Sequence, residues 1–332
     1  ILVTGAAGFI GFHFCNYLLE KSKNIEILGI DSLSSYYDVN LKKDRLKILK
    51  QNKNFFFKKI ELENKSELEK IFKESRPKIV VHLGAQAGVR YSLENPKSYI
   101  DSNIVGSFNI LELSKDFPPE HLLMASTSSV YGANKKFPFS ETDKADNPLS
   151  LYAASKKSME LLAHSYSYSF GLPITIFRFF TVYGPWGRPD MAFYKFLDLH
   201  FKSNEIEIYN RGNMERDFTF IDDLIDSIYK LMKVIPNKKD FKNGTSHVAD
   251  YRIVNIGNSK KENLLDAINK LEKEVGEEFK KKYTGMQLGD VTSTEADNKL
   301  IIKLIGKTKY TDLSQGLSKF YQWYKKYKLN RS

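Results

Sequence analysis

The sequence predicts an α/β fold in which a doubly wound parallel sheet carries helices on both faces and is followed by a smaller C-terminal α/β substrate domain. Three observations predict it. Short apolar runs alternate with helical segments over the first 180 residues, the pattern of a parallel sheet buried on both faces. A glycine-rich turn, Gly5-Ala6-Ala7-Gly8-Phe9-Ile10-Gly11, joins the first apolar run to the first helix. The beat then fails after Gly184-Pro185-Trp186-Gly187-Arg188-Pro189, which marks a change of domain.

Taken in order, Ile1-Leu2-Val3 is an apolar run stopped by glycine, residues 9–20 read as a helix, and residues 25–30 as a buried strand ending in Asp31. The alternation continues through the strand Phe55-Phe56-Phe57, a helix over 66–74, the strand Ile79-Val80-Val81-His82 and a helix over 98–114. The strand Leu122-Leu123-Met124-Ala125, a helix over 151–170 and the strand Ile174-Thr175-Ile176-Phe177 complete it. Beyond residue 189 the spacing predicts a helix over 191–202 and short strands at Ile206-Glu207-Ile208 and Asp217-Phe218-Thr219. Residues 236–251 are polar, contain Asn243-Gly244 and read as a surface loop. The stripe Phe320-Tyr321-Trp323-Tyr324 reads as a terminal helix docked on its domain. Residues 1–180 are thus assigned to the first domain and 181–332 mainly to the second, with room for the chain to cross back to the sheet.

Composition narrows the partners. An excess of 51 Lys and Arg over 40 Asp and Glu gives +11 across 332 residues, but the lysines are scattered through polar surface segments. No basic recognition helix or aromatic platform accompanies them, so an anionic small substrate is expected rather than nucleic acid. Cys15 is the only cysteine, which excludes an intrachain disulfide and fits a reducing, cytoplasmic compartment. No run of 18 apolar residues and no leader pattern occurs in the sequence as given, so no membrane partner is expected. The six histidines show no ligand spacing, and no metal is expected.

The glycine turn sits where a strand hands over to a helix, so its glycines supply a tight turn, close approach to a pyrophosphate and a close helix contact, as in a Rossmann-type nucleotide domain. Asp31, 20 residues beyond Gly11, ends the second strand, where a carboxylate accepts ribose hydroxyls and repels a 2′-phosphate. Together they favour NAD over NADP. No Gly-Lys-Ser/Thr follows, which excludes a triphosphate loop. Further on, Tyr152 and Lys156 stand four apart on one helix face. A phenol titrates near pH 10, about three units too high for a base at neutral pH, and a nearby cation lowers it. Tyr152 is the expected base.

These residues, with Arg216-Asp217-Phe218-Thr219-Phe220-Ile221-Asp222-Asp223, resemble the extended short-chain dehydrogenase/reductase family over essentially the whole chain, and specifically its nucleotide-sugar epimerases. Three stretches resemble the UDP-glucuronate 4-epimerases: Tyr36-Tyr37-Asp38-Val39-Asn40-Leu41-Lys42, Ala85-Gln86-Ala87-Gly88-Val89-Arg90-Tyr91-Ser92, and Phe180-Thr181-Val182-Tyr183-Gly184-Pro185-Trp186-Gly187-Arg188-Pro189-Asp190-Met191. The resemblance implies that Tyr152 is the base, that Lys156 orients the nicotinamide ribose and lowers the phenol pKa, and that Thr127 bonds the reacting sugar oxygen. It places Gly5, Gly8, Phe9, Ile10, Gly11, Asp31, Leu83, Gly84, Ala85 and Asn103 on the cofactor. Arg216 would face the diphosphate, Asp290 the uridine ribose, and Arg90 the substrate. Gln287 replaces an arginine common in UDP-galactose epimerases and removes one expected phosphate contact. A homodimer formed through two long helices, 98–114 and 151–170, is implied by resemblance alone.

The stretch after Thr127 separates neighbouring reactions. Sugar-nucleotide 4,6-dehydratases carry an Asp-Glu pair there, and UDP-glucuronate decarboxylases a glutamate; this chain has Ser128 and Ser129. Dehydration and decarboxylation therefore lack their acid or base. What remains is C4 inversion through a 4-keto sugar, with NAD as transient hydride acceptor. Thr127, Ser128, Ser129 and Thr181 are expected to form a hydrogen-bonding collar for the sugar carboxylate, with Arg188 as charge partner. The expected substrate is UDP-glucuronate. The alternatives are a 4-epimerase acting on UDP-glucose, UDP-N-acetylglucosamine or its uronate, and a non-catalytic NAD-binding scaffold.

Overall fold

The computed structural model describes residues 1–329. Seven strands form an all-parallel sheet: β1 (Leu2–Thr4), β2 (Ile27–Asp31), β3 (Phe55–Lys59), β4 (Ile79–His82), β5 (His121–Thr127), β6 (Ile174–Phe179) and β10 (Tyr251–Ile256), in the order β10-β6-β5-β4-β1-β2-β3. Every residue of β5 and β6 is buried, as expected of central strands covered on both sides. Successive side chains serve opposite faces. Val3, Val81 and Leu123 pack with Phe12, Phe14 and Cys15 of the first helix, whereas Leu2, Val80 and Leu122 pack with Phe72, Ile110 and Met159 on the other side.

The chain winds from β1 out to β3 and then returns to place β4 beside β1. Connections from β1 and β4 therefore leave in opposite directions and open a crevice at the carboxyl ends of these strands, the place where such sheets bind ligands. Gly5 follows β1 and Leu83-Gly84-Ala85 follow β4, one on each side of that crevice. Thr127 ends β5 and Thr181 follows β6 on the same edge.

A polar loop ending at Tyr251 gives no sign of a seventh strand, yet β10 begins there and pairs with all of β6. The sheet thus takes its last strand from residues beyond 181. Two small sheets complete the substrate side: β7 (Thr181–Tyr183), β9 (Glu215–Phe220) and β11 (Lys261–Asn263) in the order β11-β9-β7, and β8 (Ile206–Ile208) paired with β12 (Lys281–Tyr283). The helix Leu313–Tyr327 buries Phe320, Tyr324 and Tyr327, with Trp323 and Tyr327 stacked at 5.2 Å and Trp186 within 4.9 Å of Tyr327.

Candidate active site

The dinucleotide turn is built as its glycines demand. Gly5 has φ +70 and its carbonyl accepts from Gly8 N at 2.9 Å; a Cβ at Gly5 would lie 2.8 Å from Gly84 N, and one at Gly11 would fall inside the carbonyl of Gly5. These two turns can approach each other, and a pyrophosphate can approach them, only without side chains. Gly11→Ala is therefore expected to abolish NAD retention, read by the absorbance of nucleotide released on denaturing the purified protein. Asp31 accepts from Ala7 N at 3.1 Å and Leu33 N at 2.8 Å. The backbone thus aims its carboxylate while leaving lone pairs for ribose hydroxyls.

A cavity of about 700 Å³ runs from Asp31 along the glycine turn to Tyr152, Lys156, Thr127, Ser128, Ser129, Thr181 and Arg188. Its size is that of a full ligand site, and the cradle of missing Cβ atoms together with Asp31 fits a dinucleotide lacking a 2′-phosphate. Gly8, Phe9, Ile10, Leu83, Gly84 and Ala85 also line it. Asn103 does not. Its side chain is fully buried, with Oδ1 accepting from Gln86 N and Nδ2 donating to Gln86 O and Ser155 Oγ. Its amide thereby fixes the chain after β4 against the catalytic helix. Lys42 was not legible as a wall residue, but it lines the cavity with Nζ donating to Ser34 O at 2.7 Å. Burial lowers its pKa, opposed by the charge of Asp31.

The helix Leu151–Phe170 starts at Ser150, whose Oγ accepts from Ala153 N at 3.1 Å, and ends at Gly171 in the left-handed conformation, a paired start and stop signal. This start presents Tyr152 in the first turn and Lys156 one turn later. Lys156 Nζ donates to Ala125 O at 2.8 Å in β5, and burial brings its pKa down to about 8, opposed by Glu160. Thr127 Oγ1 accepts from Ser129 N and donates to Ser129 Oγ, each at 3.2 Å. Lys156 is not among the groups that lower the pKa of the Tyr152 phenol. Burial pushes the phenol above its ordinary value, and the main opposing cation is Arg188, followed by Thr127.

Arg188 is itself paired with Asp190 through Nε (3.0 Å) and Nη2, and Tyr36 donates to the same carboxylate at 3.1 Å. Asp190 was missed because nothing in its spacing distinguishes it from a loop residue. Arg90, Arg216 and Asp290 gather outside the cavity wall. Arg90 pairs with Asp290 at 3.2 Å and lies 4.2 Å above the ring of Tyr209, while Arg216 donates to Glu215 O at 2.8 Å and Thr292 O at 3.3 Å. Val89, a wall residue, is the neighbour of Gly289, so this cluster borders the cavity mouth. Among the described residues no group of three or more His, Cys, Asp or Glu is arranged to hold a metal, and no helix is long and apolar enough to cross a membrane.

A nucleotide crevice that opens directly onto a tyrosine, a lysine and a threonine at the ends of β5 and its following helix defines a short-chain dehydrogenase/reductase. The chain belongs to the NAD dependent epimerase/dehydratase family, whose model matches residues 1–257. It is 46% identical to a probable UDP-glucuronate 4-epimerase of Rhizobium meliloti (strain 1021), over 97% of this chain and 96% of that protein. The crystal structure of UDP-glucuronic acid 4-epimerase from Bacillus cereus with UDP-glucuronic acid and NAD superposes with a TM-score of 0.88 at 34% identity, covering 98% of each chain. A Tyr-to-Phe mutant of that enzyme, holding UDP-4-deoxy-4-fluoro-glucuronic acid and NAD, superposes equally well, with a TM-score of 0.88 at 33% identity over 98% of each chain.

Proposed function

We propose that this protein is an NAD-dependent 4-epimerase interconverting UDP-glucuronate and UDP-galacturonate. The observation that carries the reading is the cavity wall beside Thr127, where Ser126, Ser128 and Ser129 offer hydroxyls only. The acid and base expected of a dehydratase and the glutamate expected of a decarboxylase are both missing there. Tyr152 takes the proton of the sugar 4-hydroxyl while Thr127 holds that oxygen. NAD, when bound, supplies the transient acceptor for the hydrogen leaving C4. With the 4-keto sugar turned to its other face, the hydrogen held by the cofactor would return to C4 while Tyr152 gives the proton back to the oxygen, and the inverted alcohol results. Lys156, held on Ala125 O, orients the nicotinamide side of the cradle.

A ketone at C4 beside a carboxylate on C5 makes a β-keto acid, which loses CO₂ when the breaking bond aligns with the carbonyl π system. Ser128, Ser129 and Thr181, with Arg188 behind them, hold the carboxylate near the ring plane. Thr181→Ala is expected to leak UDP-pentose while still forming UDP-galacturonate, measured by chromatography and CO₂ release; clean epimerisation would remove the collar. The substrate itself is tested by incubating the protein with UDP-glucuronate, UDP-glucose and UDP-N-acetylglucosamine and separating C4 epimers. Turnover of UDP-glucose alone overturns the assignment.

The protein pairs as a homodimer through the helix Leu151–Phe170 and the helical segment 98–114. Ile100, Val105, Phe108, Leu161, Tyr168 and Phe170 are all exposed there, Leu161 by 61%, an apolar concentration typical of an interface. Leu161→Lys is expected to yield monomers in analytical ultracentrifugation.

A further inference from the structure

Arg45 has no part in the chemistry described so far, yet its placement is unusual. Its side chain is fully buried and among the described residues no carboxylate lies within salt-bridge distance of it. A buried cation is retained only where other groups replace its lost hydration, and here the two halves of the guanidinium do this in different places. Nη1 donates to Ala7 O at 2.9 Å and to Tyr37 Oη at 2.8 Å. Nη2 donates to Trp186 O at 2.6 Å and Gly187 O at 3.3 Å. One planar fork thus ties the dinucleotide turn to the turn that leads into Arg188.

Other contacts make both ends definite. The peptide of Ala7 is gripped on both sides, its N–H by Asp31 and its carbonyl by Arg45. In the second turn the preceding carbonyl, Pro185 O, receives His13 Nε2 at 2.8 Å. Burial lowers the His13 pKa to about 4, so the ring is neutral, and the carbonyl fixes Nε2 as the protonated nitrogen. Three consecutive carbonyls, 185 to 187, are therefore held by side chains of the nucleotide-binding half. Trp186 has φ +59 and its ring is wedged against Phe12 and Trp323, each at 5.5 Å. Directly after this turn comes Arg188, whose side chain reaches the wall beside Tyr152.

We propose that Arg45 is a positioning residue that locks the turn at 184–190 to the dinucleotide turn, so that Arg188 stays in register with the seated cofactor during turnover. The idea rests on the epimerase reading for one of its readouts. Loss of the link lets the Arg188 turn drift relative to the cradle, and the 4-keto uronate is then restrained less well while NAD is held less tightly.

The test is Arg45→Lys, which keeps the charge but cannot reach both turns from one nitrogen. The expected result is a UDP-pentose to UDP-galacturonate ratio raised by about ten-fold or more, with faster loss of NAD on gel filtration. Leu231→Ala, a core truncation in the helix Ile221–Met232, serves as a destabilised control and keeps the wild-type ratio. A wild-type ratio in R45K, or an equal leak in the Leu231 control, overturns the proposal. If R45K does not fold, Arg45→Gln takes its place with the same outcomes. If the wild-type protein does not epimerise UDP-glucuronate, the function reading has failed instead, and NAD retention alone decides: equal retention in R45K and wild type overturns the link.

Discussion

Tyr152→Phe is expected to lower kcat by about 10²- to 10⁴-fold, the range lost when a positioned acid–base group is removed, while leaving NAD and UDP-sugar binding intact. The phenol oxygen is the single group of this helix start that can both take and return a proton at C4. Phenylalanine keeps the ring, its edge-on contact with Tyr99 at 6.1 Å and the helix cap at Ser150, so fold and cradle persist. Burial pushes the phenol above its ordinary value, against the pull of Arg188 and Thr127. A positively charged nicotinamide beside the ring would lower it. The wild-type rate should then rise with pH through an apparent pKa below the ordinary phenol value in the NAD-loaded enzyme, and this limb should vanish in the variant's residual activity. Single-turnover kinetics across pH measure both. A variant that kept wild-type turnover would remove Tyr152 from the role of base.

What the sequence made legible was local. The glycine turn, Asp31 and the pairing of Tyr152 with Lys156 are each set by spacing within one strand, turn or helix, and the structure assembles them on one cavity wall. What it hid was long-range. Arg45 meets Trp186 across 141 positions, and Tyr36 meets Asp190 across 154; no periodicity encodes such contacts. The amide of Asn103 likewise ties Gln86 to Ser155, 17 and 52 positions away. The strand β10 escaped because a polar loop precedes it and because a parallel edge strand can be recruited from any later segment. Helical spacing puts Lys156 beside Tyr152, but its ammonium donates to Ala125 O, and the charge that opposes burial at the phenol is that of Arg188, from a distant turn.

The largest stability effect is expected at the ion pair beneath the catalytic helix. Arg178 on β6 and Glu160 on the helix are each 1% exposed, and Arg178 donates through Nε at 2.9 Å and Nη2 at 2.7 Å. Ser126 Oγ adds a third bond to Glu160 at 2.7 Å, so the same carboxylate braces the residue before Thr127. Arg178→Met should cost about 3–5 kcal/mol, because it strands a buried carboxylate, and lower Tm by roughly 5–10 °C. Changing both partners to apolar residues of similar volume should recover most of the loss. The pH dependence separates this from simple cavity formation. In the wild type, burial would raise the Glu160 carboxyl, but Arg178 and Ser126 hold it below the ordinary range. That contribution is present above the unfolded value near pH 4.3 and lost as pH falls through the lower folded value. Without Arg178, burial prevails and the folded carboxyl titrates above its unfolded value, so the variant loses stability as pH rises. The gap between the two proteins should therefore widen from about pH 5 to about pH 7.5 in paired urea melts. A gap independent of pH would mean that Glu160 finds another cation, with Lys157, 3.4 Å from its Oε2, the nearest to hand.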